Sequence, residues 1–157
     1  MRTQSVQPEG RSWIDAAPFR AHVLHVAESA GVPWPAVAVV SGVPLASVRT
    51  LLFGRRGRRQ TRIGPQAAAR LLNVGVTDLA GLRNGRVPAA STATRLRRLL
   101  AAGADPLLLA RWCDLRNADL ARLADGDVPA CSRLTAALVL AAERSWATGR
   151  RPGRAAA

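Results

Sequence analysis

The sequence predicts an all-α fold, and three observations lead there. Apolar residues make up 48% of the chain and are mostly Ala, Leu and Val, with aromatics at only 4%, a mixture that favours helix. A long stretch repeats itself after 72 residues. Proline and glycine punctuate both copies where helices start and stop.

The repeat sets Ala30-Gly31 over Ala102-Gly103 and runs without a gap to Gly54 over Gly126. Val37 then falls on Leu109, Ala38 on Ala110, Val43 on Leu115, Val48 on Leu120 and Leu51 on Leu123, while upstream Leu24 and Ala27 fall on Leu96 and Leu99. The matches sit at apolar positions that a helical period must bury, so they read as two copies of one helical unit.

Each unit has four elements. First helices are expected over 18–30 and 92–102, ending at Gly31 and Gly103 as helix C-termini often do. Short second helices open at Pro35 and Pro106, where a missing N–H costs nothing. Third helices cover 45–53 and 117–124, and closing helices cover 64–72 and 132–148. Between the units, 77–82 reads as a short helix capped by Thr77. Its surroundings, Asp78-Leu-Ala-Gly-Leu-Arg-Asn-Gly, echo Asp119-Leu-Ala-Arg-Leu-Ala-Asp-Gly. The expected organisation is a disordered tail (1–12), a first unit with a basic loop (13–75), a helical connector (76–91), a second, degenerate unit (92–148) and a disordered tail (149–157).

All 23 basic residues are arginine against 10 acids, a net charge of +13. A GC-rich genome accounts for the missing lysine but not for the sign, which calls for a polyanionic partner. No apolar run approaches the ~20 residues that span a bilayer, and the start of the chain is not signal-like, so no membrane association and a cytoplasmic, nucleoid location are expected. Cys113 and Cys131 form no close pair and are expected to be reduced core thiols.

The first unit carries the chemistry. A helix-turn-helix needs a tight turn between short helices and a small residue where they cross. Gly42 suits the turn and Ala38 the crossing, with Val37, Val43, Val48 and Leu51 facing inward. The expected fold is therefore all-α, two tandem helix-turn-helix-like units packed as one helical body. The third helix then exposes Ala46, Ser47, Arg49 and Thr50, and its N-terminal half would enter a major groove. Arg49 is the first choice for a base contact, through guanine O6 and N7. Immediately after it, residues 53–62 hold Arg55, Arg56, Arg58, Arg59 and Arg62 and no acid. This loop would lie along phosphates or reach into a narrow minor groove. Arg56-Gly-Arg58 resembles the core of an AT-hook, with Gln60 near the place of that motif's proline.

The second unit differs. Asp114 stands where the first has Gly42, and 107–148 carries five arginines against five acids. This half is expected to pack, dimerise or bind a protein partner, with 136–142 as a homodimer surface.

Trp13-Ile-Asp-Ala-Ala-Pro-Phe-Arg-Ala-His-Val, Gly31-Val-Pro-Trp, Ser41-Gly-Val-Pro, Leu51-Leu-Phe-Gly and Ala69-Arg-Leu-Leu resemble a group of small tandem helix-turn-helix DNA-binding proteins of actinobacteria and their phages. Thr94-Arg-Leu-Arg-Arg-Leu99 is similar to the segment that introduces their second unit. The resemblance spans about residues 13–146 and implies double-stranded DNA as partner, read by Ser47, Arg49 and Thr50. His22 and His25 share a helix face without a third ligand, so no metal is expected, and Trp34 and Trp112 are expected to pack. There is no phosphate loop and no nucleophile with a plausible base. A DNA-binding regulator without cofactor or catalytic activity is expected, the rivals being a nucleoid or RNA-binding protein and a helical platform for an acidic partner.

Overall fold

The computed structural model describes residues 12–149. The expectation of disordered tails at 1–12 and 149–157 lies outside that range except for its inner ends, Ser12 and Gly149. The fold is all-α, and its elements repeat in order. The first unit is β1 (Ile14–Asp15), α1 (Ala17–Ala30), α2 (Pro35–Ser41), α3 (Leu45–Phe53), β2 (Arg62–Ile63) and α4 (Pro65–Leu72). After the connector α5 (Val76–Asn84), the second unit runs β3 (Arg86–Pro88), α6 (Ala90–Ala101), α7 (Pro106–Trp112), α8 (Asn117–Asp125), β4 (Ala130–Ser132) and α9 (Arg133–Ala147).

Local chemistry accounts for the helix limits. Pro35, Pro65 and Pro106 occupy first turns, where proline's fixed φ fits and its lack of an N–H leaves no bond unmade. The Asp105 carboxylate accepts from the N–H groups of Leu107 and Leu108, and the Ser132 hydroxyl from that of Thr135. Each satisfies orphan donors at a helix start. The cap expected at Thr77 lies elsewhere. Helix α5 starts at Val76, and the Asp78 carboxylate reaches back to the Gly75 N–H at 2.9 Å, because an acid three residues into the helix can close on the capping backbone.

Two short ribbons among the described residues, four strands in all, have no forewarning in the sequence. The β1 and β2 strands pair antiparallel, Ile14 opposite Ile63, and β3 pairs with β4, Val87 opposite Cys131. Strands of two or three residues are too short for apolar alternation to show. Each ribbon ties the entry of a unit's first helix to the exit of its third. The Ala16 N–H donates to the Thr61 carbonyl and the Ala89 N–H to that of Pro129.

The gapless repeat holds from the end of the first helix onward and fails before it. Leu24 is 49% exposed, whereas Leu96 is fully buried. The buried set Ala16, Phe19, Val23 and Val26 matches Ala89, Thr92, Leu96 and Leu99, which is a shift of 73. Helix α6 is thus one residue shorter than α1 between its opening alanine and its closing glycine. Each residue turns a helix by 100°, so the packed face rather than the aligned letter identifies equivalent positions.

One core serves both units. Leu138, Val139 and Ala142 of α9 are fully buried, and α9 packs on α2 and α5 as well as on α6 and α7. The expected homodimer surface at 136–142 is therefore mostly core: its Leu- and Ala-rich character reflects burial within the chain. Among the described residues no single helix is long and apolar enough to cross a membrane; α1 and α2 reach that character only as a pair bent by 106°.

Cys113 and Cys131 are free and buried, and burial pushes the Cys113 thiol up to about 12. Two predictions follow from this core. Leu138→Ala should cost about 2–5 kcal/mol and, because α9 joins both units, should lower one shared denaturation midpoint rather than one of two. The Cys113 thiol stays protonated in the fold while an unfolded thiol ionises near its ordinary value, so the unfolded chain binds fewer protons there above pH 9. Stability should be unaffected by this group below pH 9 and fall between pH 9 and about 12. Denaturation of a Cys113→Ala variant against wild type across that range measures the difference.

Candidate nucleic-acid interface

Helices α2 and α3 form the expected helix-turn-helix. Gly42 has φ of 67° in the turn, the left-handed conformation that glycine adopts without a Cβ clash. Val37, Ala38, Val43, Val48 and Leu51 are all buried around it. The turn is held from outside by Arg70 of α4, whose guanidinium donates to the Gly42 carbonyl. The second unit keeps the same backbone with different chemistry: Asp114 takes φ of 54° at the matching place, a conformation that Asp tolerates better than most residues.

On α3 the core face is Val48, Leu51 and Leu52. At 100° per residue, the opposite face is centred on Ala46, Thr50 and Phe53, with Ser47 and Arg49 flanking it. Ser47 is exposed, and Ala46, Arg49 and Thr50 are half-buried. The Thr50 hydroxyl donates to the Ala46 carbonyl at 2.8 Å, and its oxygen keeps acceptor capacity. Phe53, the last residue of the predicted third helix, belongs to this face and was not among the contacts expected from the sequence. Phe53 is 62% exposed, and its ring meets Trp34 edge to face at 5.8 Å. Trp34 in turn meets Trp112 at 6.3 Å, and the Trp112 indole N–H donates to the Leu138 carbonyl. The two tryptophans pack, as expected, and they do so across the two units.

The arginine loop is a β-hairpin. The Arg55 N–H donates to the Arg58 carbonyl at 2.9 Å and the Arg58 N–H to the Arg55 carbonyl at 3.1 Å. Arg56 and Gly57, between them, have φ of 51° and 75°, the paired positive values of a type I′ turn. Arg56-Gly57-Arg58 is therefore a tight tip and not an extended AT-hook-like strand, because the two left-handed residues reverse the chain. Arg55, Arg56, Arg58 and Arg59 are all exposed, and the first three line a shallow recess open to solvent. Arg62 is also exposed but sits apart, in β2, opposite Asp15.

The base of the hairpin is tightly defined. Gly54 has φ of 77°, and a Cβ there would run into the Arg58 carbonyl. Between Gly54 and Thr61, which bonds Ala16, the chain is four residues longer than between their counterparts Gly126 and Pro129. The hairpin is this insertion. In the second unit the same connection is direct, and the exposed start of α8 is neutralised by an ion pair between Arg116 and Asp119 at 2.7 Å. The Arg116 guanidinium holds the Asp119 carboxyl below its ordinary value.

His22 lies within 3.1 Å of the Val74 carbonyl, and His25 is exposed on the same helix. Among the described residues no group of three or more His, Cys, Asp or Glu comes together. Arg95 and Arg98, which precede the second helix-turn-helix, both turn to Glu143.

Gly54→Ala should disrupt the hairpin with little effect on the helical core. The expected result is faster hydrogen exchange at the Arg55 and Arg58 amides and a stability loss of about 1–2 kcal/mol, with the amides of α6 and α9 as internal reference. Comparison of the chain with protein-family models, with curated proteins and with solved structures finds no match.

Proposed function

We propose that this protein binds double-stranded DNA through its first unit and acts as a transcriptional regulator in the cytoplasm, on the nucleoid, without catalytic activity. The observation that carries this reading is the internal contrast between the units. Both keep the turn, the buried crossing and the short ribbon, yet only the first has the four-residue hairpin and its cluster of exposed arginines. The helical scaffold does not need that cluster in order to fold, so an interaction outside the chain is the simplest account of it.

The mechanism divides by chemistry. Arg55, Arg56, Arg58 and Arg59 neutralise phosphates or enter an adjacent minor groove, which positions the protein. Ser47, Arg49 and Thr50 meet base edges in the major groove, Arg49 through a bidentate pair with guanine. Ala46 and Phe53 offer apolar contact, of which the thymine methyl is the natural complement. The resemblance of the first unit to small actinobacterial and phage helix-turn-helix proteins points the same way. Structured RNA offers the same phosphates, but its deep, narrow major groove does not admit a helix.

With roughly four to six arginines on phosphates, log affinity for duplex DNA should fall against log salt with a slope of about −4 to −5. Arg58→Ala should make that slope shallower by about one and weaken binding uniformly across sequences. Arg49→Ala should cost about 1–3 kcal/mol on the preferred site and relax specificity there. Duplex binding that is flat in salt, or tighter binding to structured RNA than to duplex in direct competition, would refute the reading.

A further inference from the structure

Arg20 lies on α1, outside the sequence-derived contact set, yet its guanidinium reaches both parts of that set. Its Nε–H donates to the Leu51 carbonyl at 2.8 Å, in the last turn of α3. Its Nη2 donates to the Gln60 carbonyl at 2.7 Å, where the hairpin returns to β2. The Leu51 carbonyl is one of the last four of its helix, which have no intrahelical donor. The amide four residues on, that of Arg55, is instead committed to the hairpin through the Arg58 carbonyl. Arg20 therefore supplies a donor that α3 gave up when the chain turned into the hairpin.

We propose that Arg20 is a positioning residue that joins the recognition helix and the arginine hairpin into one rigid, two-pronged reader. By fixing their separation, it sets which stretch of duplex the hairpin touches once α3 is seated. This assignment rests on the DNA-binding reading for its functional consequence, though not for its structural one.

The second unit provides the contrast. Counted from the alanines that open the first helices, Ala16 and Ala89, the position of Arg20 corresponds to Ala93, which is buried. There Arg97 donates from Nη1 to the Ala124 carbonyl at 2.8 Å, holding the end of α8, while its Nη2 turns back to Thr94 on its own helix. Both units thus tie the third helix to the first through an arginine, but the fork that spans two segments occurs where the hairpin is. A guanidinium suits this task because its N–H groups are fixed in one plane and can serve two carbonyls at once. A lysine keeps the charge on a single flexible ammonium and loses that geometry. Among the described residues the hairpin is otherwise held by its own Arg55–Arg58 pair and by bonds at its ends: the Gly54 N–H to the Thr50 carbonyl, the Gln60 side-chain amide to the Arg62 carbonyl, the Ala16 N–H to the Thr61 carbonyl, and the pairing of Arg62 with Asp15.

The test uses the full chain in four forms: wild type, Arg20→Lys, a hairpin variant (R55Q/R56Q/R58Q/R59Q), and the two combined, with Arg20→Gln alongside as a second replacement. Amide hydrogen exchange is read at Arg55 and Arg58, with amides of α6 and α9 reporting that the fold is intact. Affinity is read with a labelled mixed-sequence DNA duplex. Arg20→Lys should speed exchange at both hairpin amides by about ten-fold or more, the equivalent of one lost charge-assisted hydrogen bond, and should weaken duplex binding by up to about ten-fold despite the retained charge. The combined form should bind no more weakly than the hairpin variant alone, since both changes remove the same contribution. Unchanged exchange at Arg55 and Arg58 in either Arg20 variant overturns the assignment, as does wild-type affinity in Arg20→Lys or losses that multiply in the combined form. If wild type fails to bind duplex, the DNA reading falls, and the exchange measurement still decides whether Arg20 holds the hairpin.

Discussion

Leu138 and Val139, wholly removed from solvent, sit midway along a helix that closes the second unit and packs on α2 of the first. That contact constrains everything else. A four-helix unit of this size buries too little apolar surface to be comfortably stable alone, and α9 resolves the problem by serving two units at once. The Trp34–Trp112 contact reinforces the same seam, with Trp112 held in place by its bond to the Leu138 backbone within the second unit. Because the short second helix of the first unit is pinned from behind, its turn and the helix that follows are presented on a stiff support. Stiffness of that kind lets a few exposed side chains hold a defined geometry.

Much of this was legible in the residues. Periodic apolar positions and the proline and glycine boundaries placed the paired helices within a residue or two, and Gly42 marked the turn because few other residues accept its backbone conformation. What escaped had no local signature. Ribbons of two or three residues arise from long-range pairing, as Ile14 with Ile63 shows. The one-residue difference between the first helices could not be seen in a gapless alignment, because Leu24 and Leu96 are the same letter on different faces. The stretch 136–142 looked like a surface for a second copy because apolar composition reports the need for burial without saying by what.

The candidate site divides the same way. The run of arginines was plain, and so were the outward positions of α3 near Ser47 and Arg49. Its shape was not: a type I′ turn is usually announced by Asn-Gly or Asp-Gly, and here Arg56 takes the left-handed position. Phe53 was hidden by its place at the junction of helix and loop. Arg20 was hidden by distance in sequence, since nothing in the letters links residue 20 to carbonyls at 51 and 60. Side chains that act through another segment's backbone leave no motif.

The four-residue insertion also bears on how such a chain can change. It begins and ends at points already anchored, at Gly54 and beside Thr61, and the second unit shows the same junction closed without it. Recharging the exposed tip of the hairpin therefore leaves the buried faces of the packed helices in place. Variation at that one connection is thus separated from the packing of the interior, and its cost falls on the local anchors at Gly54 and Gln60 rather than on the buried core.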